Sequence, residues 1–531
     1  MTAPHRNESM SRRFGFAPLS WAEVGALSVP VLVCLLLGIN RLVQPDALTG
    51  VLGYVGWGYD DGVHLGTALR LTQFDFPYRD YVLLHPPGTS VVLAPLAIVG
   101  RLTNTHDALA LGRIIVALIG VANVALVAML VRRRGPLAML IGGMALAIWP
   151  LAPDALRTLM MEPFVVLFVL LGALVLFPST GTATFRRVFW AGTLFGAAVS
   201  LRMLSLLPLL AALLVVCWTW RRTLKPFVLG VIAALGVLVL PFFLLAPSQF
   251  IQQVIVSQLS RPTSNVATTS VGVRLAMIIG LSSKPSQAQA DLAVMLFLVF
   301  AVVVIVTFFL LRRATGPLDW FALFGSVLTV VGVLRAPEAF WHYMYVSAAF
   351  LALLLAMTVG LIAGAIPAPK RAGQISWRWL SGVTLSTVVI LAGLSLIPHD
   401  IAFAKSFPGK ADDPSEWIDK LVPAGSCVVS DVATILVVSN RLVSTSRDCP
   451  ATVDSYGAWL NVGDNLPPGQ AKTPPAELVE SWKSDLKKLD YLVLSVDLSS
   501  FFPWTAETKA LLANNFRKVG TRGTMAVYER I

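Results

Sequence analysis

ALALGRIIVALIGVANVALVAMLVRRR, residues 108–134, is a run of 24 residues with a single charge, Arg113, followed at once by three arginines. A helix needs about 20 predominantly apolar residues to cross a bilayer. Lys and Arg at its ends are retained on the cytoplasmic side. The stretch therefore reads as a span, 108–131, with its cytoplasmic end at Arg132, Arg133 and Arg134. The same pattern recurs along the chain. Apolar segments fall at 24–43, 137–151, 163–177, 188–201 and 204–220, then at 227–246, 292–311, 320–334, 343–366 and 379–397.

Basic residues alternate in step with these spans. Arg12 and Arg13 precede the first, Arg186 and Arg187 follow the fourth, and Arg221, Arg222 and Lys225 follow the sixth. Arg312 and Arg313 follow the eighth, and Lys370, Arg371 and Arg378 the tenth. All lie inside if the N-terminus is cytoplasmic. Eleven spans then put the rest of the chain outside, with the loops 44–107, 247–291 and 335–342. The expected fold class is an α-helical polytopic membrane protein with a C-terminal extracytoplasmic α/β domain. Its boundaries are 1–398 for the membrane domain, including the outer loop 44–107, and 399–531 for the outer domain.

Composition agrees. The 531 residues are 56% hydrophobic and only 13% charged, against about a quarter charged in soluble domains. The net charge of +12 resides in short clusters between apolar runs, which is topological anchoring rather than a nucleic-acid stripe. No small-residue cleavage site closely follows the first apolar run, so it is expected to remain as a span. In the outer domain, SCVVS (426–430), YLVLSV (491–496) and 525–528 read as strands, and 475–488 as a helix. Cys427 and Cys449 read equally as a disulfide, which an extracytoplasmic compartment permits, or as two thiols. No Walker A loop, dinucleotide fingerprint or zinc-spaced Cys/His cluster is present in the sequence.

The chemistry-bearing residues gather on the outer side. Asp60 and Asp61 stand together in the first outer loop, in GYDDG. They read as a general base, a metal ligand or both, or as a solvated pair capping a helix. A helix at 63–71 is expected to lie flat at the interface with its apolar face in lipid, and 89–102 to form an outer-leaflet helix. Glu162 in RTLMMEP and Arg202 in VSLRMLS occupy outer hairpin ends, where an ionisable side chain is costly unless paired or functional. A guanidinium there suits a phosphate, or snorkels to the headgroups. Arg157 offers Glu162 a structural partner. His342 and Tyr343 in EAFWHYMY add an imidazole and an aromatic belt, and Arg261, Arg274 and Lys284 lie in the large outer loop.

GYDDG, YRDYVLLHPPG, the MEP turn, GAAVSLRMLSLLP and HYMY, taken in this order, resemble the GT-C superfamily of polytopic glycosyltransferases over nearly the whole chain. The nearest likeness is to actinobacterial cell-envelope enzymes that use polyprenyl-phosphate sugars. The resemblance implies a plasma-membrane enzyme of cell wall biogenesis. It would move a sugar, arabinofuranose or mannose first, from a polyprenyl phosphate to an envelope glycan, lipid or protein acceptor outside the membrane. Asp60 or Asp61 and Glu162 would be the catalytic acids. Arg202, His342, His85, Arg274 and Tyr343 would contact the donor phosphate and substrate. His85 stands where the family's motif more often has tyrosine. A divalent cation, Mg or Mn, held by Asp60 or Asp61 is the cofactor such a site would take. The competing reading is a transporter or flippase of a lipid-linked glycan, since charged residues within bundles also line translocation paths.

Overall fold

A computed structural model of the chain describes residues 18–43, 58–178, 184–261, 270–282, 284–338, 340–366, 413–462 and 473–531, with isolated positions 387 and 391. Ten of the eleven expected spans fall on helices. The eleventh, 379–397, lies outside the described residues, as do Lys370, Arg371 and Arg378. Among the described residues, five helices are long and apolar enough to cross a membrane: Trp21–Leu42, Thr105–Leu130, Gln287–Leu310, Pro317–Arg335 and Trp341–Ala365. Shorter apolar helices, among them Pro136–Ala147 and Glu162–Leu176, pack between them. The chain is a multi-pass membrane protein.

Local sequence sets the helix ends. Asn104 caps Thr105–Leu130 by accepting the Asp107 N–H at 2.7 Å, satisfying one of the first turn's orphan donors. Pro136, Pro163 and Pro317 sit in first turns, where no N–H is missed. The expected span 227–246 is divided into Leu224–Leu238 and Leu240–Leu245, because Pro241 lacks an N–H for the helix interior. The arginines after Thr105–Leu130 tie that end of the helix to two others. Arg132 pairs with Glu23 at 2.9 Å, and Arg134 with Asp319.

The C-terminal domain carries a four-stranded sheet of order β1-β2-β4-β3, from Val428–Ser430, Tyr491–Leu494, Met525–Arg530 and Phe516–Arg522 respectively. β1 runs parallel to β2, and the other neighbours are antiparallel. The sequence pattern anticipates β1, β2, β4 and the helix Ala476–Leu486. It misses β3, whose FRKVGTR is too polar to read as a buried strand. Cys427 and Cys449 are bridged, with Cα atoms 5.3 Å apart.

The helix Tyr59–Leu71 corrects an expectation. It does not lie flat with a face in lipid: Asp61 to Arg70 are all buried, between the outer-domain helix Ala433–Val438 and the bundle. Its apolar side chains join a core that runs without a break from Leu65 and Leu69 to Leu436, Leu442 and Val453. Small residues permit this approach. The Gly62 N–H donates to Thr434 Oγ1 at 2.9 Å, and a Cβ on Gly62 would collide with the Thr434 backbone. Gly62→Ala is therefore expected to destabilise the protein by about 1–3 kcal/mol, the usual cost of overpacking. The check is a lowered midpoint of thermal unfolding in detergent; an unchanged midpoint would mean the two elements are not tightly docked.

Candidate active site

Asp60 lies in the first turn of the helix Tyr59–Leu71, and its side chain is 32% exposed. Its neighbour Asp61 is fully buried. One Asp61 oxygen accepts from Arg113 Nη2 at 2.8 Å and the other from the Leu159 N–H. Consecutive helical residues point roughly 100° apart, so one carboxylate faces the site and the other the bundle. His64, one turn beyond Asp60, is buried, with Nδ1 2.7 Å from the Leu159 carbonyl oxygen. A carbonyl oxygen only accepts, so that contact makes Nδ1 a protonated, donating nitrogen.

Three other elements complete the cluster. Glu162 opens the helix Glu162–Leu176, where the positive end of the helix dipole favours a carboxylate. Arg202 follows the helix Phe185–Leu201 in extended backbone, with Nε 3.2 Å from Glu162 Oε1 and Nη1 3.3 Å from His85 Nε2. His342 Nε2 lies 3.9 Å from Asp60 Oδ2 and 4.0 Å from Glu162 Oε1. The Tyr343 ring lies under the Arg202 guanidinium, 5.6 Å from its carbon. Expectation paired Glu162 with Arg157 or left Arg202 without an acid; the fold brings Glu162 and Arg202 together across 40 residues.

The Arg202–Glu162 contact leaves capacity unspent. Arg202 Nη2 and Glu162 Oε2 are buried and have no hydrogen-bond partner among the described residues. A buried guanidinium with idle donors is costly unless a ligand takes them up. Beside it opens a cavity of about 110 Å³ whose walls include His85, Glu162, Arg202 and Tyr343. Burial would raise the Asp60 carboxyl, but His342, His64, Arg202 and Arg261 facing it together hold it below the usual carboxylate range. Burial, reinforced by Arg202, pushes His85 well below the ordinary imidazole value, so it is neutral at pH 7.

Arg274, expected near the donor, is not in this cluster. Its guanidinium donates to the carbonyls of Val333, Leu334 and Ala336, holding the end of the helix Pro317–Arg335. Arg261 takes the nearer place. It pairs with Glu338 and stands 5.9 Å from the ring of Tyr456, whose hydroxyl donates to Glu338 at 3.4 Å. The C-terminal domain thus reaches the site. It does so a second time through Asp454, which accepts from the Tyr59 hydroxyl at 2.8 Å and whose carboxyl is raised by burial to about 6. Sequence reasoning missed His64, Tyr59, Asp454 and Tyr456. Only His64 had a signal, its four-residue spacing from Asp60 on one helix face.

The residues fit a divalent cation poorly. Among the described residues no group of three or more His, Cys, Asp or Glu is arranged to hold a metal. Both oxygens of Asp61 are engaged, and Asp60 faces cationic side chains rather than further oxygen donors.

No protein-family model matches the chain, and no curated protein matches its sequence. Solved structures do. ArnT from Cupriavidus metallidurans, solved bound to undecaprenyl phosphate, aligns over 96% of this chain and 98% of its own, with a TM-score of 0.54 and 16% identity. The oligosaccharyltransferase of Archaeoglobus fulgidus, tethered to an acceptor peptide, aligns over 96% of this chain and 74% of its own, with a TM-score of 0.56 and 12% identity. Membrane bundle and C-terminal sheet domain together therefore share the fold of these two solved structures.

Proposed function

We propose that this chain is an integral membrane glycosyltransferase that moves a sugar from a polyprenyl phosphate to an acceptor hydroxyl on the outer face of the cell membrane. The observation that carries the reading is the presence in one cluster of a partly exposed carboxylate, Asp60, and a buried arginine, Arg202, whose Nη2 is unspent beside a small cavity. The bound undecaprenyl phosphate of ArnT, whose fold this chain shares, supports a lipid-phosphate donor. The arginine clusters that alternate with the spans support a cytoplasmic N-terminus and an outer site. The sugars to assay first, on family resemblance, are arabinofuranose and mannose.

The reaction is a direct displacement. The acceptor oxygen forms a bond to the anomeric carbon as the bond from that carbon to the phosphate oxygen breaks. The electron pair leaves with the phosphate, and the acceptor proton passes to Asp60. Attack opposite the departing phosphate inverts the anomeric centre. A phosphate needs charge neutralisation more than protonation to leave, and Arg202 supplies it with a planar fork of donors. Tyr343 packs against the guanidinium, and neutral His85 adds a ring nitrogen without adding charge. Glu162 orients Arg202 and offsets its charge before the donor arrives. His342, between Asp60 and Glu162, bridges the acceptor and donor halves. Four cationic or imidazole side chains around Asp60 supply the positive field, and no step is routed through a metal.

The test is transfer of radiolabelled sugar from synthetic polyprenyl-phosphate donors by the purified protein in lipid. Arg202→Ala should lower kcat/KM for the donor about 10²-fold. Arg202→Lys should recover part of this, as it keeps the charge but not the fork. Normal donor saturation in both variants would reduce Arg202 to a structural side chain. Absence of transfer by the wild type, with movement of lipid-linked glycan between leaflets instead, would favour a flippase.

A further inference from the structure

A second, larger cavity, of about 720 Å³, opens between the first outer loop and the outer domain, and nothing in the donor chemistry uses it. One wall is the loop around Tyr78–Val82. The other is the outer domain from Arg447 to Asp454, the helix Ala476–Leu486 and Phe501 to Pro503. We propose that this cleft binds the acceptor, and that the acceptor is an uncharged glycan rather than a peptide or an anionic lipid. The inference rests on the glycosyltransferase reading and names the substrate class of its second half-site.

Position is the first argument. Asp454 lines the cleft and also accepts the Tyr59 hydroxyl at 2.8 Å. Tyr59 immediately precedes Asp60, and its ring meets Phe501, another wall residue, edge to face at 5.6 Å. Tyr59 thereby ties the cleft wall to the helical turn that carries Asp60. The cleft and the donor cavity share no wall residue, but the same two segments divide them. Tyr81 and Gln253 face the cleft, while Leu84, His85 and Gln258 face the donor cavity. The partition is tied across by the Leu83 N–H donating to Gln253 Oε1 at 2.9 Å and by Gln258 Nε2 donating to the Leu84 carbonyl at 2.8 Å. The segment Ile251–Val256 is π-helical, an irregularity that recurs at functional sites.

Chemistry is the second. The walls carry five carboxylates, among them Asp75, Asp454 and Asp485, against three basic side chains, Arg79, Arg447 and Lys488. A net negative cleft repels phosphate and carboxylate ligands. Sugar hydroxyls suit it, since they can donate to the carboxylates and both donate to and accept from the amides. Trp482 lines the cleft, is 3% exposed, and has an indole N–H with no hydrogen-bond partner among the described residues. Buried indole donors usually find a partner, and a sugar hydroxyl would satisfy this one. The volume lies in the range that encloses a small ligand, enough for a short oligosaccharide.

The experiment measures binding separately from transfer. Full-length protein in nanodiscs is titrated with short neutral oligosaccharides of arabinose, mannose and galactose, an acidic glycolipid and a short peptide, by calorimetry. Asp60→Asn should bind a neutral oligosaccharide as the wild type does. Ser481→Trp, an exposed wall position, should weaken binding on the order of tenfold or more, and Asp485→Asn measurably. Neutral-glycan binding that these wall variants abolish, in a protein that transfers no sugar, would keep the cleft and sink the transferase reading. Transfer to peptide or acidic lipid with no neutral glycan bound would overturn the cleft proposal alone. Glycan binding indifferent to Ser481→Trp would overturn it as well.

Discussion

Asp60→Asn is expected to lower turnover about 10³-fold, within the range that a positioned general base contributes, without loss of folding or donor binding. The substitution keeps the shape of the side chain and removes its capacity to take a proton. The residue is partly exposed, on a helix whose burial depends on its other positions, so stability should change little. Its pH behaviour is the sharper test. His342, His64, Arg202 and Arg261 outweigh burial and hold the Asp60 carboxyl below the ordinary carboxylate value. Its base form is thus present throughout the neutral range and is lost only as pH falls through that depressed value. Wild-type kcat/KM for the acceptor should stay level throughout the neutral range and fall only below the ordinary carboxylate value. The asparagine variant should lack that acid limb. An acid limb near pH 6 in the wild type would point instead to a carboxyl raised by burial, as Asp454 is, and transfer at the wild-type rate by Asp60→Asn would remove the proposed base.

The membrane architecture was legible because two independent signals, apolar length and arginine alternation, repeat along the chain. Each cluster is local, so no tertiary information is needed. The helix Tyr59–Leu71 was legible as a helix but not as a buried one. What buries it is Ala433–Val438, more than 360 residues away, meeting Gly62, together with Leu442 and Val453 against Gly66, and one sequence carries no trace of those contacts. The site was half legible. Asp60, Glu162, Arg202, His85, His342 and Tyr343 were all singled out as ionisable or polar groups beside apolar runs, and the fold gathers them. Arg274 was singled out as a basic residue of the large outer loop and lies elsewhere, because backbone carbonyls at a helix end satisfy a guanidinium as well as a phosphate does. Tyr59, Asp454 and Tyr456 lie in ordinary polar surroundings, and only the docked outer domain gives them their place.

The pair Asp60–Asp61 shows most clearly where sequence reasoning stops, and Asp61 supplies the second large effect. Asp61→Ala is expected to destabilise the protein by about 4 kcal/mol, the cost of breaking a buried ion pair from one side. Its carboxylate is fully buried and engages Arg113, which lies within the helix Thr105–Leu130, and the Leu159 N–H beside the His64 contact. Removing it takes the carboxylate from a buried guanidinium and leaves a backbone donor unsatisfied. Activity should fall with the loss of folded protein, while folded molecules keep their pH profile. Asp61→Ala combined with Arg113→Met should recover much of the stability, since an apolar pair is often no worse than a buried ionic one. Thermal unfolding in detergent, read beside transfer per folded molecule, separates the roles. Wild-type stability in Asp61→Ala with transfer abolished would make Asp61 the reacting carboxylate and reverse the assignment, whereas a destabilised variant rescued by Arg113→Met would fix it as the brace that aims Asp60.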